Sequence, residues 1–442
     1  MSEAPMANVI FDALIIGGGP GGATSALLLA KAGWSVAIVE QASFPRGKVC
    51  GEFLSATNLP LLRHLGVAES FLQLAGPSVR RVGLFSGDHV VTADMPRFPA
   101  AADLAERADN AMGDGWGRAL GREYLDTLLL ERAAAAGAKV CQPWSAVDLT
   151  KIQSDGHSEN GYICRAVSKQ SGESMDLRAR IVIAAHGSWH PGPLPTQPPR
   201  PAPQPSELFG FKAHFLDTHL PPGLMPLMAF PGGYAGMVHS DHGRVSLSCC
   251  IRRDGLEHAR RDAGAVKAGE AVLGHITKYC RGAREALAGA HLEADWFSAG
   301  PIRPGVRRCG FDGIFLVGNA AGEAHPVVAE GIGMAMQSAR LLCESLIAES
   351  ARAVASGEPA NTLSTAATEK VRHSYAAAWR RTLAPRIYAA ALIAHWAMRP
   401  TAVACSVPLL HIFPGVLTAG ARFSGKATSR TSAQIAASSL TS

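Results

Sequence analysis

The stretch D12-A-L-I-I-G-G-G-P-G-G-A-T-S-A-L-L-L-A-K31, followed by V36-A-I-V-E40, decides the fold. Ala13 to Ile16 is a short apolar run that ends in glycines, Ala23 to Lys31 reads as a helix, and Val36 to Val39 reads as a second strand. The three together form one βαβ unit. In G17-x-G-x-x-G22 the first glycine permits a tight turn, Gly19 lets a pyrophosphate approach the backbone, and Gly22 lets the helix pack closely on the strand. The helix N-terminus then faces the phosphates. Glu40 directly follows the second strand, where a carboxylate accepts hydrogen bonds from adenosine ribose hydroxyls and repels a 2′-phosphate. The unit therefore expects an adenine dinucleotide and leaves both NAD and FAD open.

Working outward, 442 residues exceed the size at which one hydrophobic core stops growing, so two lobes are expected. A 47% hydrophobic and 18% charged composition excludes a disordered chain. The net charge of +6 is scattered, which suits an anionic cofactor and gives no reason to expect nucleic acid. Nine cysteines without a C-x-x-C pair point to a reducing compartment, and Met1 to Asn8 lacks a signal-peptide pattern, so a cytoplasmic location is expected. The histidine pairs His239 with His242 and His186 with His190 have no third ligand at metal spacing, and no metal is assigned.

Further along, Ile181 to Ala185 and Ile314 to Val317 are apolar runs that each end in a glycine turn, as strands feeding a cofactor crevice do. Arg118 to Gly137 has helical leucine spacing and a glycine stop. The proline-rich segment from His190 to Pro205 sustains neither helix nor central strand and is read as a boundary. Gly210 to Phe215 and Val245 to Ile251 read as strands of a second lobe, joined by a hairpin from Val79 to Ala93. The expected organisation is an α/β protein. A discontinuous nucleotide domain takes 1–75, 118–190 and 296–350, and a substrate-binding sheet domain takes 76–117 and 191–295. A helical region over 351–420 and a disordered tail over 421–442 complete it. Ile387 to Met398 and Ala402 to Phe413 are too short and interrupted to span a bilayer, but with Arg380, Arg381, Arg386 and Arg399 nearby they suit peripheral membrane contact.

The choice of cofactor comes from G318-N-A-A-G-E-A-H-P-V-V-A-E-G-I-G-M-A-M-Q-S-A339, a glycine turn that opens a long helix. With G17-x-G-x-x-G22 and S43-F-P-R-G-K-V-C-G-E-F-L-S55, it resembles the FAD enzymes that include geranylgeranyl reductases, aromatic-ring hydroxylases and flavin-dependent halogenases, over residues 9 to 350. The resemblance implies a glutathione-reductase-like, hydroxylase-type fold. It also implies that FAD is held non-covalently, with Gly318 and Asn319 at the ribityl chain and Pro326, Gly331 and Ile332 under the isoalloxazine. Arg122, in R122-E-Y-L-D126, matches an arginine near the FAD, or is an ordinary i, i+4 ion pair. Arg46 and Lys48 meet the FAD phosphates or an anionic ring, or are merely solvated. Two positions depart from the family pattern: Asn319 stands where aspartate is usual, and A185-H186-G187 replaces A-D-G. The second departure puts nicotinamide handling in doubt, so NADPH or NADH is expected only as a transient reductant, with an electron-donor protein as the other source.

K48-V-C-G-E52 most resembles the reductase pattern, in which a cysteine lies by the flavin, and the tryptophan-rich halogenase signature is absent. Cys50 and Tyr234, the latter in F230-P-G-G-Y-A-G236, are the candidate catalytic residues, each with core packing as its ordinary alternative. The function expected first is that of a monooxygenase of secondary metabolism, hydroxylating an aromatic, polyketide-like or other hydrophobic substrate. The alternative is reduction of carbon–carbon double bonds in a prenyl or polyene lipid. A non-catalytic FAD-binding or electron-relay protein is the second alternative.

Overall fold

The computed structural model describes residues 9–98, 114–152, 161–187, 192–197 and 202–426. Its first sheet runs in the order Gly310–Phe311, Ile314–Leu316, Ser174–Ala184, Ile10–Ile16, Val36–Val39 and Lys139–Cys141. The last five are mutually parallel. A parallel sheet is covered on both faces, which is why these strands are near-continuous apolar runs rather than alternating ones. Trp144–Ile152 and Gly161–Ser168 extend the sheet as an antiparallel pair on the first half of Ser174–Ala184.

Register is what positions the site. Ile16 lies opposite Val39 and Ala184, and Ala184 lies opposite Leu316. The turns at Gly17, Ala185 and Gly318 therefore share one carboxyl edge of the sheet, where open α/β sheets bind their ligands. Helix Pro20–Lys31 starts there with proline in its first turn, where the missing N–H costs nothing. The long helix Gly331–Ala355 packs alongside it.

The second sheet has the order His291–Leu292, Leu208–Leu216, Val245–Arg252, Gly233–His239, Leu224–Phe230, Arg81–Ser86, His89–Asp94. One face packs on Ala268–Tyr279 and Arg281–Ala286, through Val272, Ile276 and Ala283. The other packs on Ala384–Ala397 and Pro400–Ile412, through Ala394, Val403 and Val407. Adjacent strand residues face opposite sides, so Cys249 joins the first core and Cys250 the second. All nine cysteines are free thiols.

Three boundaries differ from the sequence reading. The helix expected over 118–137 runs only over Arg122–Ala135, because Arg118–Ala119 pairs as a short strand with Phe53–Leu54 and Gly121 opens the helix. Phe297–Ile302, read as part of the nucleotide domain, is antiparallel to Leu208–Leu216 in the second sheet, and the chain rejoins the first sheet only at Gly310. The tail expected from 421 begins no earlier than 427. Arg422–Lys426 is a π-helical turn whose Ser424, Gly425 and Lys426 are buried, drawn in by the carboxylate of Glu330. The remainder of that tail, much of the proline-rich boundary and part of 76–117 lie outside the described residues. No single described helix is long and apolar enough to cross a membrane, while the bent pair Pro400–Ile412 and Gly415–Lys426, at 112°, passes that test by length and composition.

Candidate functional site

A cavity of about 550 Å³ opens at the carboxyl edge of the first sheet and runs between the second sheet and the C-terminal helices. Gly19, Lys48, Arg122, Gly318 and Asn319 line its polar end. Cys50, Tyr234, Pro326, Gly331 and Ile332 line it further in. Of the residues singled out in the sequence, Gly17, Gly22, Glu40 and Arg46 are not on the cavity wall but build the turn beside it.

Gly17 has φ +106, and a Cβ there would sit 2.7 Å from the Ala185 carbonyl oxygen, so only glycine fits between the two strand ends. A Cβ on Gly22 would overlap the Gly17 carbonyl, which is the close packing of helix on strand that the motif requires. Glu40 accepts from the Gly18 N–H at 2.7 Å through one oxygen and from the Ala42 N–H at 2.9 Å through the other. The carboxylate is thereby fixed at the strand end, and a carboxylate has about four acceptor sites, so capacity remains for ribose hydroxyls.

Three cations converge on the turn. The guanidinium of Arg122 lies 3.8 Å and that of Arg46 lies 4.0 Å from the position a Gly19 Cβ would occupy. Arg122 is buried and clamped by Asp126 through two hydrogen bonds of 2.7 and 2.6 Å, so the i, i+4 ion pair holds the guanidinium beside the turn. Arg46 lies 3.7 Å from Asp126 and 3.9 Å from Glu40. Burial, reinforced by the positive charges of Arg122 and Arg46, pushes the Lys48 ammonium down to about 8. Such crowding of cations at a helix N-terminus is stabilised by an anion, and the diphosphate of FAD fits it. At the other side Asn319 donates to Glu323 at 2.8 Å, and Arg307 donates to the Asn319 carbonyl at 2.7 Å. Both hold the Gly318–Asn319 turn at the polar end of the cavity. His186 turns away from the cavity, its ring bonded to Thr196 and to the Gly187 carbonyl, so it secures the loop after the strand.

Deeper in, Tyr234 is buried and its hydroxyl lies 3.4 Å from Nδ1 of His325. The His325 ring lies 5.9 Å, centroid to centroid, from that of His395, which is exposed. Burial, and the charge of His395 beside it, lower the His325 imidazolium to about 4, so the ring is neutral at pH 7. Burial raises the Tyr234 phenol well above its usual range. A protonated hydroxyl on the wall is thus backed by a neutral imidazole.

A buried cluster that the motifs do not announce lies behind Cys50. Glu52, at φ +58, is hydrogen-bonded to Lys212 and, at 2.9 Å, to His214, and the Arg122 N–H approaches it at 3.4 Å. Glu52 and Lys212 are fully buried. Burial pushes the Glu52 carboxyl up, but the His214 hydrogen bond and the Lys212 charge outweigh it and hold the group near 2. A non-glycine residue in the left-handed region is strained by about 1–3 kcal/mol unless its surroundings fix it, and this cluster fixes the Cys50–Glu52 loop against the second sheet. One signal was available: Lys212 and His214 are two basic residues on one face of the otherwise apolar run F209-G-F-K-A-H-F215.

Comparison with known proteins agrees with this geometry. Residues 11–198 match the FAD binding domain family. The chain is 24% identical over 350 residues to conditioned medium factor receptor 1 of Dictyostelium discoideum, a match covering 76% of this chain but 63% of that longer protein. It is 27% identical over 342 residues to digeranylgeranylglycerophospholipid reductase 2 of Methanopyrus kandleri, covering 76% of each. Among solved structures, the myxobacterial chondrochloren halogenase superposes with a TM-score of 0.66 at 18% identity, over 98% of this chain and 97% of that one. With residues 11–198 matched and three cations gathered at its phosphate turn, the protein carries an FAD binding domain, is similar in sequence to a digeranylgeranylglycerophospholipid reductase and shares its fold with an FAD-dependent halogenase.

Proposed function

We propose that the protein is an FAD-dependent monooxygenase that hydroxylates a lipophilic substrate bearing an acidic hydroxyl, such as a phenol or polyketide enol. The carrying observation is Tyr234, backed by His325, on the wall of the cavity beyond its polar end. Val82, Leu84, Met225, Leu227 and Met237 offer the body of a substrate only hydrophobic contact, so its one polar group is oriented by Tyr234. The neutral imidazole accepts a hydrogen bond from the Tyr234 hydroxyl, which leaves the Tyr234 oxygen free to accept one from the substrate's acidic hydroxyl and so to raise the electron density of its ring or enol. Bound FAD would supply the redox chemistry, held by Arg46, Lys48 and Arg122 at its diphosphate, Glu40 at its ribose and Asn319 at its ribityl chain. Nicotinamide, or an electron-donor protein, would supply the electrons from outside.

A second reading is reduction of a double bond in a prenyl or polyene lipid. Cys50 favours it, because its thiol lies on the cavity wall in the segment that resembles the reductases, and so does the Methanopyrus kandleri relative, whose substrate is a polyprenyl lipid. The two readings differ in what reoxidises the reduced flavin, oxygen or the substrate itself, and one experiment separates them. The flavin is reduced anaerobically and offered alkylphenols or polyprenyl lipids, with and without ¹⁸O₂. Hydroxylation is expected to give product with one ¹⁸O and no flavin reoxidation by substrate alone. Anaerobic, substrate-dependent reoxidation with gain of two hydrogens would overturn it in favour of reduction. Tyr234→Phe is expected to slow turnover by about 10²-fold while leaving FAD content unchanged, as measured by the flavin-to-protein absorbance ratio.

A further inference from the structure

We propose that the C-terminal helices dock on an anionic lipid bilayer and that the cavity opens at that face, so that a lipophilic substrate enters from the membrane. The inference rests on the proposed lipophilic substrate for its purpose, but not for its observations. The first is charge. The whole chain has 42 basic and 36 acidic residues, yet from Lys370 to the end there are nine basic residues and no acidic one. The rest of the chain is therefore slightly acidic; of the nine, Lys370, Arg372, Arg386 and Lys426 pair with Glu349, Glu369 and Glu330, while Arg380, Arg381, Arg399 and Arg422 are exposed at the C-terminal helices.

The second observation is where apolar side chains face solvent. On helix Ala384–Ala397, Tyr388, Leu392 and His395, continued by Arg399, are exposed at spacings of four, three and four residues, which is one face of a helix. The opposite face, with Ala390 and Ala394, is fully buried. On Pro400–Ile412, Val403, Val407 and Leu410 pack inward while Leu409 and Ile412 are exposed. Phe413 and Phe423, at 58% and 80% exposure, extend the apolar surface. Half of the large exposed hydrophobic residues among the described residues lie between Tyr388 and Phe423. A concentrated apolar patch with basic and no acidic neighbours in its own sequence is the composition of a surface that sits in the headgroup region of an anionic bilayer.

The third observation ties the patch to the cavity. Leu409 and Val416 line the cavity, yet are 53% and 48% exposed. They therefore stand at its mouth, on the same surface as Ile412 and Phe413. Because the inner faces of these helices are packed on the second sheet, the arrangement lies on a membrane rather than crossing it.

Flotation of the intact FAD-bound protein with phosphatidylglycerol–phosphatidylcholine vesicles, against phosphatidylcholine alone, tests the proposal. Binding is expected to the anionic vesicles and to weaken with salt. Ile412→Ser with Phe413→Ser, and separately Arg399→Glu with Arg422→Glu, are each expected to weaken it about tenfold or more. FAD content and circular dichroism confirm that the variants fold. No flotation, or flotation equal for wild type and both variants, would overturn the proposal. So would self-association without lipid that the serine pair abolishes, since the face would then join two copies of the chain. Flotation makes no use of turnover, so it stands or falls separately from the hydroxylase reading. That reading's failure with flotation intact would leave a membrane-docked flavoprotein of other chemistry.

Discussion

At the scale of single residues, the site is governed by how charges are compensated. Lys48 loses its proton near pH 8 in the absence of ligand, because burial and two arginines oppose its charge. A diphosphate anion favours the protonated form, so FAD affinity should be level below pH 8 and fall as pH rises beyond it. Lys48→Met is expected to weaken FAD binding about tenfold at pH 7 and to remove this pH dependence, as titration of flavin fluorescence would reveal. Glu52 sits at the opposite extreme, an anion held by the Lys212 ammonium and by a hydrogen bond to His214. Removing one of them by Lys212→Met is expected to cost about 3–5 kcal/mol in urea unfolding, with Glu52→Gln on top recovering part of the loss. Its carboxyl is depressed in the folded state from an ordinary 4.5 to about 2. The stability it contributes is therefore complete above pH 4.5 and is lost as the pH falls from there toward 2.

At the scale of elements, the phosphate turn was legible because its requirements are local. A strand, three glycines and a helix are contiguous, and Glu40 lies at the end of the very next strand. What could not be read was anything assembled across sequence distance. Lys212 meets Glu52 from 160 residues away, and Tyr234 meets His325 from 91. Neither pairing leaves a periodic trace: the glycine-rich neighbourhood of Tyr234 points to that residue, and nothing around His325 in the segment from Gly318 to Ala339 points to its partner. Phe297–Ile302 is illegible for the same reason, since its residues are mostly solvent-facing and only its pairing with Leu208–Leu216 declares its sheet. The contiguous element makes the sharper forecast. Gly22→Ala brings a methyl group into the Gly17 carbonyl, so helix Pro20–Lys31 must move off the strand. Loss of FAD from the purified protein, with far-ultraviolet circular dichroism preserved, is the expected result.

At the scale of the molecule, the end of the described chain closes back on its beginning. Lys426 donates to the Val328 carbonyl and lies 3.4 Å from Glu330, while Arg386 binds the other oxygen of Glu330 at 2.7 Å. Thr57, from the first quarter of the sequence, donates to the Gly425 carbonyl at 3.2 Å and Ser55 donates to Glu330 at the same distance. Glu330 directly precedes the helix Gly331–Ala355, whose first residues line the cavity. The C-terminal turn therefore braces the start of a cavity-lining helix, which its polar, aperiodic residues give no reason to expect. Compared with a chain ending after Lys426, one ending after Phe423 lacks the ammonium that meets a buried carboxylate. That second truncation is expected to cost about 1–3 kcal/mol and to lower FAD affinity with it, because the lost contact sits at the start of the cofactor-facing helix. Glu330→Gln in the shorter chain should restore part of the stability by removing the unbalanced charge. Thermal melts of the three proteins with and without excess FAD would decide it. If the two truncations melted alike, the turn would be a passive end of the chain rather than a tie across the molecule.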